Sequence, residues 1–233
     1  MASNKKSLVI EQPVPIRKQV YEYIRERILN HDIEPSNRLV EAQIAKEIGI
    51  SRTPVREALH LLEKDGLVES IPRVGYRVKK LALDELDEIF AIRGANEALA
   101  AQWALERMDA KSMQALEKNV ARTKKALSQG HPETFLDYDD DFHEILVRAA
   151  GSQHLYDLCQ QLRRLVQRYR IESLRYSTRI AGAVEGHQRI LDALKQKDKE
   201  GLNRAIAEHL QYSRNDIREQ MQSISQGKGG GKK

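Results

Sequence analysis

The chain contains 233 residues, of which 40% are hydrophobic and 31% charged, and its formal net charge at pH 7 is +5. This length is typical of one large or two small domains, and no apolar run is long enough for a membrane span or a signal peptide. The single cysteine, Cys159, excludes a disulfide within the chain. We therefore expect a soluble cytoplasmic protein that does not associate with a membrane.

Positive charge is concentrated in the first third of the chain. Residues 1–80 carry 15 Lys and Arg against 11 Asp and Glu, whereas residues 81–227 carry 21 against 23. A basic front part followed by a slightly acidic remainder indicates that only the front faces a polyanion. Because the excess is small, it supports a DNA-binding motif but could not replace one.

The pattern of the front part predicts three helices in succession. Apolar residues recur at helical spacing over residues 19–29, and a shorter helix covers residues 41–48. Gly49 supplies the left-handed residue that ends this second helix. Ser51 then serves as the N-cap of a third helix over residues 52–65.

Two strips rich in β-branched residues, 67–71 and 76–78, follow the third helix and surround a turn at residues 72–75. This pattern predicts a two-stranded hairpin. Three helices followed by such a wing predict a winged helix-turn-helix over residues 15–80, preceded by a flexible N-terminus over residues 1–14.

The first turn of the third helix is rich in groups that bind DNA. Arg52, Thr53 and Arg56 follow the N-cap residue Ser51. Arginine presents two parallel donors to guanine, whereas serine and threonine hydroxyls suit phosphate oxygens. An ion pair on a solvated face would better explain a single arginine here. The cluster, at a helix N-terminus and before a wing, instead predicts a helix that enters the major groove.

The remainder of the chain, over residues 81–223, contains no strand pattern and predicts an all-helical bundle. Apolar stripes separated by helix-breaking residues predict six helices, at residues 83–107, 110–129, 132–150, 153–177, 183–196 and 199–223. The last residues, 224–233, are polar and rich in glycine, which predicts a disordered tail. The fold class is thus mainly α, a winged helix-turn-helix followed by a helical bundle.

Four residues of the rear part are candidates for a metal site. Asp139 and His143 share one face of a helix, and His187 and His209 lie on the inward faces of two further helices. Three neutral imidazoles and one carboxylate suit Zn²⁺, Ni²⁺, Mn²⁺ or Fe²⁺ and leave positions free for a ligand. Each histidine, taken singly, could instead be a core residue whose hydrogen bonds are satisfied by the protein. Spacing alone therefore does not establish a metal site.

The front motifs resemble the GntR family of bacterial repressors. The resemblance rests on Arg38-Leu-Val-Glu-Ala, on Ile50-Ser-Arg-Thr-Pro-Val-Arg-Glu-Ala-Leu and on Asp65-Gly-Leu-Val before a Gly-containing wing. In that family the recognition helix reads the major groove and the wing tip reaches the minor groove. The implied DNA contacts in this chain are Arg38, Ser51, Arg52, Thr53, Arg56, Arg73 and Gly75.

The rear motifs resemble FCD, the all-helical ligand-binding domain of the FadR subfamily. They are Asp139-Asp-Asp-Phe-His143, Glu185-Gly-His187 and Ala205-Ile-Ala-Glu-His209-Leu. The resemblance implies that Asp139, His143, His187 and His209 hold a metal that helps to bind a small organic acid. Subfamily members that bind a fatty acyl thioester lack the full set, which argues against that ligand class here.

Arg93 and Glu97 match an Arg-x-x-x-Glu pattern of the same domain. By resemblance, Arg93 faces the ligand cavity and clamps a carboxylate of the effector. The alternative is a plain ion pair between residues four apart on a helix. The sequence leaves both open.

Together these features predict a transcriptional regulator that is not an enzyme, a homodimeric repressor of a near-palindromic double-stranded DNA operator. A small carboxylate bound beside the metal would change its affinity for DNA. Two alternatives come from other classes. One is a metalloenzyme attached to a DNA-binding domain, since a metal with open positions could activate water. The other is a metal sensor, in which the ion itself is the signal.

Overall fold

The computed structural model describes residues 14–30, 32–34, 36–80, 82–174 and 179–229, and contacts divide the chain after Lys80 into a front unit and a rear unit. The elements of the front unit are α1 (Ile16–Leu29), β1 (Arg38–Leu39), α2 (Glu41–Ile48), α3 (Arg52–Lys64), β2 (Val68–Ile71) and β3 (Gly75–Val78). Those of the rear unit are α4 (Leu83–Arg107), α5 (Ala110–Ser128), α6 (Phe135–Ala149), α7 (Gln153–Leu174), α8 (Ile180–Gln196) and α9 (Lys199–Gly229).

The front unit is the winged helix-turn-helix that the sequence predicts. Helix α3 supplies the centre of its core, because one face of the helix is completely buried through Val55, Ala58, Leu59 and Leu62. Gly49 adopts the left-handed conformation at the end of α2, and its N–H bonds to the carbonyl of Ala45. This tight connection sets α3 directly after α2 and leaves the opposite face of α3 in solvent.

The wing contains one strand that the sequence analysis missed. Strands β2 and β3 form the predicted hairpin, and the two-residue strand β1 pairs antiparallel with β3, which gives the order β1-β3-β2. A strand of two residues has no alternating pattern that could reveal it. Its pairing of Leu39 with Tyr76 attaches the segment before α2 to the wing.

Gly75 makes this close pairing possible. Its φ of 118° lies outside the regions that residues with a side chain readily adopt. A Cβ atom at this position would lie 2.8 Å from the carbonyl oxygen of Leu39, a backbone atom that cannot rotate away. The missing side chain of Gly75 therefore allows β1 to pair closely with β3.

The rear unit is a bundle of helices, as predicted. Its largest apolar cluster joins α4, α5, α6, α7, α8 and α9 around side chains such as Phe142, Ile190 and Ile206. The start of the third predicted helix differs from the expectation, because residues 132–134 form a single 3₁₀ turn and α6 begins at Phe135. Helix α8 begins at Ile180 rather than at residue 183.

The predicted disordered tail can be compared with the structure in part, whereas most of the predicted flexible N-terminus cannot. Helix α9 continues through Gly229, although the sequence predicts a disordered tail from residue 224. Adding a turn to an established helix is much easier than starting one, which explains the extension. Residues 1–13 and 230–233, which include most of the predicted flexible N-terminus and the end of the tail, lie outside the described residues.

Within the described residues, every helix is too short or too polar to cross a membrane.

We expect Gly75→Ala to lower the stability of the front unit by about 1–3 kcal/mol, because it combines backbone strain with a steric overlap. Gly49→Ala is the matched control, since Gly49 is also left-handed but nothing lies within 4 Å of the added atom. Hydrogen exchange of β1, β3 and α2 in the full chain measures the effect. Equal loss of protection in both variants would contradict the importance of the β1 contact.

Candidate nucleic-acid interface and metal centre

The N-terminal turn of α3 presents polar groups to solvent. Ser51 precedes the helix with extended backbone angles, yet its hydroxyl makes no capping hydrogen bond. Ser51, Arg52, Thr53 and Arg56 are exposed, whereas Val55 between them is fully buried. The turn therefore combines a buried apolar face with a solvent-exposed face of hydroxyls and guanidinium groups.

Both arginines of this turn contact Glu41 at the start of α2. Arg56 donates from Nε to Oε1 and from Nη2 to Oε2 of Glu41, each at 2.9 Å. Arg52 donates from Nη2 to Oε2 at a longer 3.4 Å. The ion pair that the sequence analysis raised as the alternative for a single arginine is thus present, and one carboxylate serves both arginines.

The other candidate DNA contacts lie around the wing. Arg38 is exposed on β1, and Arg73 is exposed in the turn between β2 and β3 with a left-handed φ of 64°. Gly75 is partly buried at the start of β3, where its role is the close approach to Leu39. Arg38 and Arg73 are therefore exposed to solvent, whereas the structural role of Gly75 is in the backbone.

The four candidate metal ligands lie together in the core of the rear unit. Asp139 and His143 come from α6, His187 from α8 and His209 from α9, and each is at most 3% exposed. One ligand atom from each residue lies within 4.8 Å of all the others. Gly186 makes room for this cluster, because a Cβ atom there would lie 2.6 Å from Nδ1 of His209.

The short distances inside the cluster fit a cation at its centre. Nε2 of His143 lies 3.2 Å from Nε2 of His209, and Nε2 of His187 lies 3.4 Å from Oδ1 of Asp139. Oδ1 of Asp139 and Nε2 of His187 are buried and have no hydrogen-bond partner among the described residues. Buried polar atoms without partners are costly, and a cation among these atoms would satisfy them together.

The surroundings keep the imidazoles of His143 and His209 neutral and the carboxylate of Asp139 ionised. Burial, followed by the charge of Arg163, lowers the pKa of His143 to about 4. Burial and the neighbouring imidazoles hold the pKa of His209 well below its ordinary value. Burial alone would raise the pKa of Asp139, but Arg170 and the nearby histidines hold it well below its usual range. These are the protonation states that metal ligands require.

Glu97 connects the cluster to Arg93. Its Oε2 lies 3.0 Å from Nδ1 of His143, and its Oε1 accepts a hydrogen bond from Nε of Arg93 at 2.8 Å and lies 2.7 Å from Nη2 of the same arginine. A proton on Nδ1 facing this carboxylate leaves the Nε2 lone pair of His143 directed into the cluster. Arg93 is therefore in the ion pair that the sequence offered as one alternative, but buried rather than at a surface.

Two arginines of α7 also belong to this site, although the sequence did not predict a role for them. Arg163 and Arg170 are buried, and both contact Oδ2 of Asp139, the oxygen that faces away from the histidines. Arg163 also contacts Asp140. Their spacing of seven residues, with the buried Val166 between them, places them on one helical face and was the available signal.

Three arginines therefore meet beside the candidate metal ligands. Arg93, Arg163 and Arg170 line a cavity with Asp140, and its volume is about 10 Å³. This is about the space of one water molecule, so a larger anion enters only if these side chains move. The site thus combines four side chains whose chemistry fits a cation with three guanidinium groups beside them.

Two family models match the chain. Residues 16–78 match the model of bacterial regulatory proteins of the gntR family, and residues 88–212 match the FCD domain. The first match covers the winged helix-turn-helix, and the second contains Arg93, Asp139, His143, His187 and His209.

Similar proteins extend over nearly the whole chain. It is 32% identical over 204 residues to the uncharacterized HTH-type transcriptional regulator YdhC of Bacillus subtilis, covering 87% of this chain and 91% of that one. It is 28% identical over 211 residues to the HTH-type transcriptional repressor RspR of Escherichia coli, covering 91% and 92%. The solved structure of E. coli McbR/YncC has the same fold, with a TM-score of 0.73 at 24% identity over 90% of this chain and 100% of that chain.

The domain matches and the similarity to YdhC place the chain in the GntR family of bacterial transcriptional regulators, with a winged helix-turn-helix that binds DNA and an FCD domain.

Proposed function

We propose that this regulator is a repressor that binds a near-palindromic operator as a homodimer, and that a small carboxylate held beside a divalent metal controls its affinity for DNA. The observation that carries the proposal for the rear unit is the buried group of Asp139, His143, His187 and His209. The name of the similar RspR, a transcriptional repressor, supports the direction of regulation.

The exposed turn of α3 supports the assignment of the base-reading residues. In winged and related helix-turn-helix domains, the N-terminal residues of the second helix of the motif contact base edges. Arg52 and Arg56 would read guanine, and Ser51 and Thr53 would bind phosphate oxygens. Arg73 and Gly75 of the wing, together with Arg38, would contact the backbone or the minor groove.

A homodimer would present two such helices to two half-sites. Helix α4 supports self-association of the rear unit, because Ile92 and Leu99 are large apolar side chains that are 45% and 39% exposed. They lie beside a groove of about 350 Å³ between α4 and α9 that Gly94 and several alanines line. Exposed apolar surface of this kind is typical of protein interfaces.

Asp139, His143, His187 and His209 would hold Zn²⁺, Ni²⁺, Mn²⁺ or Fe²⁺, and the donor set alone does not select among them. A bound ion would supply a positive centre with open positions that attracts a carboxylate. Glu97 would orient His143, and Arg163 and Arg170 would orient Asp139.

The arginines beside this site support an anionic effector. Sugar acids, hydroxy acids and aromatic acids carry the carboxylate that a guanidinium group binds through two hydrogen bonds. Arg93 would form one side of this clamp, beside Arg163 and Arg170. An effector whose affinity differs between the DNA-binding and the released state by about 1–3 kcal/mol is sufficient for control.

A metalloenzyme is the weaker alternative, because the similar proteins are named as transcriptional regulators. A metal sensor remains the second candidate, and the same four residues favour it. Operator affinity that follows the free metal concentration without any organic acid would identify a sensor. A metal that stays bound across the physiological range, with an acid as the signal, would identify the proposed function.

We expect Arg52→Ala and Arg56→Ala to weaken discrimination between the operator and competitor DNA by about 1–3 kcal/mol each, because each removes a pair of hydrogen bonds to a base. The operator is first selected from random duplexes, and dissociation constants are then measured on both DNAs. Lys46→Ala, an exposed residue of α2, is the control for loss of one positive charge. An equal loss of affinity on every duplex would contradict base reading.

We expect His143→Ala and His187→Ala to abolish binding of a divalent metal, because each removes one of four ligands. Metal content of the purified variants is measured by mass spectrometry, and thermal unfolding is measured with and without a chelator. Metal at about 100 times its dissociation constant should stabilise the native chain by about 2.7 kcal/mol. His154→Ala, an exposed histidine of α7, should bind metal like the native chain. Normal metal content in the ligand variants would refute the site.

We expect at least one organic acid to raise the melting temperature of the metal-loaded protein and to release it from the operator. The shift should disappear with a chelator, because the carboxylate is held by the metal and the arginines together. The amide of each active acid is the matched control, since it keeps the size but not the charge. A panel of acids without any metal-dependent shift would rule out this class of effector.

A further inference from the structure

We propose that Glu41 is a positioning residue for base recognition, which holds the guanidinium group of Arg56 in the orientation that reads guanine. The proposal rests on the assignment of Arg56 as a base-reading residue. It goes beyond that assignment, because Glu41 itself lies on α2 and would contact the arginine rather than a base.

The geometry of the pair leaves one edge of Arg56 available. A guanidinium group has two edges that can each donate two parallel hydrogen bonds, one formed by Nε and Nη2 and one by Nη1 and Nη2. Glu41 occupies the first edge, with both distances at 2.9 Å. Nη1 of Arg56 donates no hydrogen bond to any of the described residues. The second edge can therefore meet O6 and N7 of guanine while the first stays on Glu41.

Glu41 is itself held in place. Its side chain is 17% exposed, whereas that of Arg56 is 54% exposed. It is the first residue of α2, where the helix dipole favours a negative charge. The preceding residues Leu39 and Val40 are fixed by the pairing of β1 with β3 and by the close contact at Gly75. The carboxylate is thus a rigid support for a flexible side chain.

Pairing with Glu41 reduces the side-chain entropy that Arg56 loses when it binds a base. A free arginine loses rotamer freedom when it is fixed on a base, whereas an arginine already paired has lost much of that freedom before the duplex arrives. Hydrogen bonds from Arg56 hold the pKa of Glu41 below its ordinary value, so the pair is intact at neutral pH. Pre-organisation of this kind favours the correct base, because only guanine offers two acceptors at the required spacing.

Arg52 provides an internal comparison. It makes one contact to Glu41, at 3.4 Å, and its side chain is 62% exposed. Glu41 therefore fixes Arg56 much more firmly than it fixes Arg52. Loss of Glu41 should affect the base read by Arg56 more than a base read by Arg52.

The competing explanation is that Glu41 acts only as a negative charge that repels DNA. This explanation makes the opposite prediction, because removal of a repulsive charge strengthens binding to every duplex equally. A change in discrimination at one base pair separates the two explanations.

The test uses the full chain and an operator selected from random duplexes. Dissociation constants of Glu41→Ala, Glu41→Gln, Arg56→Ala and the double variant Glu41→Ala with Arg56→Ala are measured on three DNAs. These are the operator, the operator with the base pair read by Arg56 replaced, and unrelated competitor. Glu47→Ala, an exposed glutamate on the same helix, is the matched control for charge.

We expect Glu41→Ala to reduce discrimination at that base pair by about tenfold, within the range of one good bidentate contact. Glu41→Gln should give a smaller loss, because it keeps the size and one acceptor, and it also tests the proposal should Glu41→Ala fold poorly. In the Arg56→Ala background, loss of Glu41 should have no further effect on discrimination. Glu47→Ala should leave discrimination unchanged.

Unchanged discrimination in both Glu41 variants, or an equal gain of affinity on all three DNAs, would overturn the positioning role. A further loss of discrimination in the double variant would overturn it as well, because Glu41 would then act independently of Arg56. If instead Arg56→Ala leaves discrimination intact, the assignment of Arg56 as a reader fails.

Discussion

The rear unit depends on the burial of one carboxylate. Asp139 is 1% exposed, and its oxygens face different partners, with Oδ2 on Arg163 and Arg170 and Oδ1 beside His187. Removal of one partner from a buried charge typically costs about 3–5 kcal/mol, so the helices that carry these partners must stay close to α6. The same requirement accounts for Gly186, which lets α8 and α9 approach closely enough for the imidazole of His209 to fit.

Spacing in the sequence does not decide what an ion pair does. Arg93 with Glu97 and Arg148 with Glu144 are both pairs of residues four apart on a helix. The first pair is at most 3% exposed and leads to His143, whereas the second lies at the surface, where such pairs contribute about 0–1 kcal/mol. The sequence alone therefore could not decide whether Arg93 clamps a carboxylate or forms an ordinary surface ion pair. Its burial beside the histidines distinguishes it from a surface pair.

The helices could be predicted because each has a local signal, whereas the metal candidates needed both their inward spacing and the resemblance to the FCD domain. Helical periodicity gave the helices of both units, and inward spacing brought His187 and His209 to the same core as Asp139. The features that were missed depend on contacts between distant segments. Strand β1 has only two residues and is recognisable only from its pairing with β3. The contact of Glu41 with Arg56 connects α2 to α3 and depends on how these two helices pack.

The position of Asp139 suggests how an organic acid could be coupled to a change of structure under the proposed function. The cavity beside it has about the volume of one water molecule, and two of its arginines, Arg163 and Arg170, are already engaged with Asp139 and Asp140. An incoming carboxylate must take over guanidinium contacts that these aspartates now hold, and it brings one further negative charge into the buried site, which a divalent cation beside Asp139 would compensate. Since Arg163 and Arg170 lie on α7 and Asp139 on α6, the exchange alters what holds these two helices together. Differential affinity for two arrangements of packed helices is the quantity that a regulator needs, and under the proposed function it would arise from competition for the same arginines.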